Sequence, residues 1–359
     1  MRRGDSPFDN LKVTLYADVV VHPRLEILNQ VIVDPTSRSS IASFLRTYIR
    51  FTITDRAHSG LALEAGKIPT PFGGYGGRAH SDANPLISVP LMYHYFTSLR
   101  TNQLPADAAD LVRHRGKGPS RLFGGFAGGG SSANRSGMPL IYDSCWDFGA
   151  RALGSFWRFE YSLALTQGTL GDPRNGGGDT NDGKQVTAHV DFVPTRSLVV
   201  GGSFARGPYL SRDVTASLPS GVDLEDYDQV ILGANLEWSF DHANILAEVV
   251  RNRWTSPFVV DEYGRLSNIT TIAWYVEGRY AQGPGLFMAG RAEGMRFGDV
   301  SDGSGGRVAW DDDVNRVEGG FGYYLMDRTI AKVIVQYVDK KGQRGFRETF
   351  PAVQLSLSF

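Results

Sequence analysis

Arg113, His114, Arg115, Lys117 and Arg121 crowd into nine residues, with Arg100 upstream and only Asp107 and Asp110 nearby. Held across a narrow passage, such a segment sets up a positive field that favours anions. Spread over a solvated loop, it would do nothing specific. A second set of ionised residues recurs at alternate positions along extended stretches: Arg46, Arg50, Glu64, Arg158, Glu160, Glu237, Glu248, Glu277, Arg279, Arg291, Glu293, Arg316, Glu318 and Lys332. Counting from the turns puts Glu277 and Arg279 about level with Arg291 and Glu293, with Arg316 and Glu318 beyond. Opposite charges there would form a cross-strand ladder. Such a wall either orders water and selects ions, or is a set of self-compensated pairs that stiffen the sheet.

Catalytic constellations are absent from the sequence. There is no G-x-S-x-G elbow and no H-E-x-x-H helix. The run Gly124–Gly130 lacks the Lys-Ser/Thr that a phosphate loop needs. Asp179-Thr180-Asn181-Asp182-Gly183 falls one residue short of calcium-loop spacing and reads as a polar loop tip. His22, His80, His94 and His189 have no metal-ligand spacing. Cys145, the single cysteine, cannot close an intrachain disulfide and reads as a small strand-end residue. The expectation is a protein that is not an enzyme and carries no cofactor or metal.

The elements that must hold the charges are strands. At the carboxyl end Val353, Leu355, Leu357 and Phe359 alternate with Gln354, Ser356 and Ser358. Side chains on a strand change face at every residue, so one face is greasy and the other wet. The same alternation runs through Ile49–Ile53, Trp157–Leu165, Val186–Phe192, Val230–Trp238, Ile272–Tyr280, Val317–Leu325 and Ala331–Tyr337. Near the amino terminus Val13, Leu15, Val19, Val21, Leu25, Ile27, Val31 and Val33 share odd parity across Pro23. A two-residue hairpin would flip that parity, which predicts one long kinked strand.

Short turns (193–197, 240–244, 282–285, 326–328) alternate with long polar loops (168–184, 207–228, 254–268, 298–313). Trp157, Trp238, Tyr280 and Tyr323 sit near the short turns, as an interfacial aromatic girdle would. No run approaches the ~18–20 apolar residues of a membrane helix. The formal net charge of −1 gives no basic field for nucleic acid. The 359 residues therefore read as a single all-β domain: a transmembrane antiparallel β-barrel of about 14 strands, or sixteen if the insertion hides another pair. Residues 73–141, rich in Gly and Pro with one short helix expected at Ala106–Arg115, form a long constriction-type insertion folded into the lumen. Membrane lipid is the expected partner of the greasy face.

Gly66-Lys67-Ile68-Pro69-Thr70-Pro71-Phe72-Gly73, with Arg78 soon after, resembles the GK-x-x-x-PFG signature of the phosphate-selective porin O/P-type proteins. The final strand is similar to the terminal strand of outer-membrane proteins generally, which implies recognition by the barrel-assembly machinery. The resemblance implies a bacterial outer-membrane location, a homo-trimer, and a constriction loop following the motif. The function expected is passive diffusion of small hydrophilic solutes or ions, with a preference for anions such as phosphate. The alternative is a structural barrel that sheathes a partner such as an electron-transfer protein. The amino-terminal MRRGDSPF has no apolar core and does not read as a signal peptide.

Overall fold

The computed structural model describes the chain from residue 13 to 357, apart from 34–41, 57–58, 79–82, 116–136, 143–145, 175–177, 219–220, 261–265, 327–328 and 343–344. The chain opens with β1 (Val13–Tyr16), β2 (Val19–His22), β3 (Leu25–Val33), β4 (Ala42–Arg56) and β5 (Ser59–Pro69). After the insertion come β6 (Trp146–Phe156), β7 (Phe159–Thr166), β8 (Gln185–Thr195), β9 (Leu198–Pro208) and β10 (Asp228–Phe240). Then follow β11 (Ala243–Val260), β12 (Leu266–Ala281) and β13 (Leu286–Phe297). A small hairpin, β14 (Asp299–Ser301) with β15 (Arg307–Ala309), precedes β16 (Asp313–Met326), β17 (Thr329–Lys341) and β18 (Phe346–Leu357).

All but the β14–β15 hairpin belong to one antiparallel sheet of sixteen strands rather than the expected count of about 14, and the described residues of the insertion add no strand to it. From β3 onward each strand of the sheet pairs with the next in sequence, except that β13 reaches past the small hairpin to β16; β1 and β2 both pair with β3. Among the described residues, β1 and β18 stand at the two ends of the strand order. The loop expected at 298–313 is thus partly strand. The insertion holds α1 (Leu91–His94) and α2 (Ala108–His114). The second helix lies where a helix was expected, capped by the Asp107 carboxylate, which accepts from Asp110 N at 2.7 Å.

The amino-terminal segment corrects the parity argument. It is a hairpin, not a kinked strand: β1 and β2 both pair with β3, and His22 faces Leu25 across Pro23-Arg24. Val20 faces Glu26, so Val21 is an extra residue between the two pairs. That bulge restores the parity the turn had flipped, and both arms keep their odd residues on one face.

The alternation gives the sheet two unlike faces. Leu163, Leu165, Val276, Val317, Phe321, Val333, Val353 and Leu355 are exposed on one of them. So continuous an apolar surface marks contact with lipid or a partner rather than water. Near the short turns this face is aromatic, with Phe159 against Phe192 at 5.0 Å and Trp238 against Phe240 at 4.6 Å between ring centres. Trp157 and Asp241 take positive φ (55° and 49°), as tight two-residue hairpins require. Arg158 therefore sits in a turn, not on the charged strand face where parity alone had placed it. It donates to Pro194 O and lies over the Trp157 ring.

Candidate functional site

The GK-x-x-x-PFG stretch steers the chain from β5 across the charged face of the sheet. Gly66 has φ of +130° and no space for a Cβ against the Thr47 carbonyl. Lys67 Nζ donates to Phe44 O at 2.7 Å. The Phe72 ring lies against Gly233 on β10, and Gly73, at φ +66°, is so close to Glu248 and Tyr93 that a Cβ would overlap both. Gly73 N donates to Ser203 Oγ on β9 at 2.9 Å. Only glycine accommodates both that conformation and that approach.

From there the insertion is fixed to the wall by its own backbone. Ile87 N and Ser88 N donate to Glu318 Oε1 at 3.2 and 3.1 Å, and Leu91 N donates to Glu293 Oε2. Tyr93 Oη donates to Glu248 at 2.8 Å, and Tyr95 Oη and Ser98 N donate to Asp311. In the other direction Arg291 donates to Ser88 O, Arg316 to Val89 O and Lys332 to Asn84 O. Arg78 pairs with Glu277. Burial and the Asp311 carboxylate hold the Tyr95 hydroxyl well above its ordinary value of 10, so it stays a donor.

The expected charge ladder is present beneath this segment. Glu277 faces Arg291, which faces Glu318, and Glu293 faces Arg316. The ion pairs measure 3.0 Å for Arg291–Glu277, 3.1 Å for Arg291–Glu318 and 2.7 Å for Arg316–Glu293, all with no side-chain exposure. Arg279 faces Ala289 instead and stacks over Phe287 at 4.6 Å. Charges so buried are tolerable because every one is paired and hydrogen-bonded.

Apolar packing completes the attachment, and the parity reading missed it. Tyr75, Leu91, Met92, Tyr95, Leu99, Leu111 and Leu140 form one core with Ile231, Leu246, Val250, Trp254 and Met295 of the charged face. Leu86 and Ile87 pack on Phe287, Ile330 and Ile334. A signal was available. In β11 (ILAEVV) and β17 (KVIVQYV) apolar residues fill both parities, as in strands covered on both sides.

Across β4–β6 the charged face is different. Arg50 and Arg151 grip the buried Glu64 carboxylate, each at 2.8 Å through Nε, and keep side-chain exposures of 31% and 11%. Arg46, partly exposed, lies over the Tyr16 ring. Arg151 was not among the sequence candidates. Further round, His189 joins Ser203 Oγ at 2.7 Å and Asp191 at 2.8 Å. Glu160 is exposed at the short-turn end of β7, and Glu237 accepts from Asn244.

The basic cluster of the insertion is not gathered at one point. Arg100 donates to Gln103, and Arg113 and His114 are exposed beside Asp110 at 3.5 and 3.4 Å. Arg115 reaches Ala309 O and lies 3.7 Å from Asp312. Lys117, Arg121, His80, Cys145, Gly124–Gly130 and Phe359 lie outside the described residues. Asp179 and Asp182 pair with Lys184 and Arg212, and no metal-binding cluster occurs among the described residues.

The chain thus forms a large antiparallel sheet, apolar on one face and charged on the other, with an insertion fastened across the charged face. Solved structures agree on the fold. The chain is similar to the anion-selective porin from Comamonas acidovorans, with a TM-score of 0.56, 10% identity, and coverage of 96% of this chain and 87% of that one. It is equally similar to Salmonella typhi OmpF (TM-score 0.56, 11% identity, 97% and 89% covered). The outer membrane channel DcaP of Acinetobacter baumannii gives 0.53 at 12% identity, with 97% and 84% covered. No family model matches the chain, and no curated protein does. The likeness is one of fold.

Proposed function

We propose that the sheet closes into an outer-membrane barrel and that the protein is a passive porin for small hydrophilic solutes, with a preference for anions. The observation that carries this reading is the division of the charged face. The insertion fastens to β9–β17, while Arg46, Arg50 and Arg151 on β4 and β6 keep partial exposure. Glu64, the carboxylate that Arg50 and Arg151 share, is buried between those two. A water-filled passage along that side would meet three guanidinium groups against one partly exposed carboxylate, Glu26, 3.8 Å from Arg50, in surroundings of low dielectric where a fixed charge acts strongly.

In this reading the exposed Arg100, Arg113 and His114, on the segment whose sequence continues to Arg115, Lys117 and Arg121, add to the positive field at the long-loop entrance. The buried ladder of Glu277, Arg291, Glu293, Arg316 and Glu318 positions the insertion rather than meeting solute. A threaded partner is less compatible with an interior that the chain's own insertion occupies. Recognition by the barrel-assembly machinery, assembly as a homo-trimer and phosphate as a preferred solute belong to the same proposal through the motif resemblance.

The test is the reversal potential under a salt gradient. Replacing Arg46, Arg50 and Arg151 by Gln, together with Glu64→Gln so that no buried carboxylate is stranded, should shift it toward cations. An unchanged value would remove these residues from the selectivity mechanism.

A further inference from the structure

At the short-turn end of the charged face, β10–β17 and the underside of the insertion enclose a polar cavity of about 340 Å³. Arg279, Asn244 and Ser239 stand in one row across β12, β11 and β10, since Asn244 faces both Arg279 and Ser239. Glu237 lies one step further along β10 on the same face. Asn244 Nδ2 donates to Glu237 Oε1 at 3.1 Å and to Ser239 Oγ at 2.8 Å. The Arg279 guanidinium lies over the Phe287 ring, 4.6 Å from its centre. Arg78 lines the roof; one of its terminal nitrogens pairs with Glu277 and the other, Nη1, is buried without a hydrogen-bond partner.

The charges in this cavity do not cancel one another locally. Among the described residues neither Arg279 nor Glu237 makes an ion pair, and they do not pair together. Their strands are two places apart, roughly 10 Å at the ~4.8 Å spacing of neighbouring strands. A ligand with a single negative charge would satisfy Arg279 and Arg78 but approach Glu237; a cation would have the reverse difficulty. A molecule with both charges satisfies both ends. We propose that this cavity is a binding subsite for small zwitterions, an amino carboxylate of amino-acid size. The carboxylate meets Arg279, with Arg78 lining the cavity beside it, and the ammonium meets Glu237 with Ser239 and Asn244 beside it. The proposal rests on the channel reading for the route by which solute reaches the cavity.

Calorimetric titration of the purified full-length protein in detergent tests it, with alanine as the probe and propionate and ethylamine as its two singly charged halves. Alanine should bind at least tenfold more tightly than either half. Arg279→Gln and Glu237→Gln should each weaken alanine about tenfold, the loss expected for one charge-assisted contact. Equal binding of alanine and propionate, or alanine binding unchanged in both variants, would overturn the subsite. If a variant fails to fold, the comparison of alanine with its halves on the unaltered protein decides alone. Conductance in a planar bilayer is read separately: its absence counts against the channel, whereas conductance without discrimination among the three probes counts against the subsite only.

Discussion

Arg291 shows what the buried ladder does. Its guanidinium donates to Glu277 and Glu293 and to the Ser88 carbonyl, and pairs with Glu318, all out of contact with water. Removing it takes from Glu318 its ion pair among the described residues, while Glu277 keeps Arg78 and Glu293 keeps Arg316. Breaking a buried pair from one side costs about 3–5 kcal/mol. Arg291→Met should therefore destabilise the protein by that order in urea unfolding and make residues 84–99 sensitive to protease. Adding Glu318→Gln should recover part of the loss. Full stability in the single variant would mean the ladder does not hold the insertion. Parity and turn counting were enough to foresee this ladder, because strand geometry forces residues two apart onto one face and register follows from the turns. Arg151 escaped because its surroundings (DFGARALGS) are small and only weakly alternating. Its partner Glu64 lies across an insertion of unknown path in the sequence.

Among the elements, the insertion departs furthest from what the sequence conveyed. Its apolar residues, Leu86 to Leu99, read as an irregular Gly- and Pro-flanked stretch, and the four residues of α1 are too few to display a helical period. Helix α2 was legible because Asp107 supplies a cap and the helix runs for two turns. The first hairpin was misread because a bulge, which carries no residue signature at Val21, undid the parity change of its turn. The insertion's attachment should respond to alkali through Tyr95. Its hydroxyl value is raised by burial and by Asp311, so the stabilisation it reports is complete below pH 10 and is lost as pH rises beyond it, because the unfolded chain ionises first. Thermal unfolding followed from pH 8 to 11 should fall more steeply in the unaltered protein than in Tyr95→Phe. Parallel curves would show that Tyr95 does not carry this linkage.

At the scale of the whole molecule, the greasy face and the charged face make opposite demands that a closed sheet in a membrane meets together. In the proposed barrel, lipid would take up the exposed Leu163, Val276, Val317 and Val353, and closure would leave no unpaired strand edge in hydrocarbon. The charged face is divided: the insertion builds a packed core on β9–β17, and the guanidinium groups of β4 and β6 keep partial exposure. The two unlike faces and the charged parity were readable from the chain because each follows from a period of two; the strand count, expected at about 14, was not. How the insertion packs on the charged face was not readable, since it depends on contacts between residues more than two hundred positions apart, such as Ser88 with Glu318. In the proposed barrel, that packing decides whether the lumen conducts. Purified protein reconstituted into a planar bilayer tests it most directly: the account predicts discrete, ion-permeable current steps that carry more anion than cation, and a bilayer that stays silent with correctly folded protein inserted would contradict it.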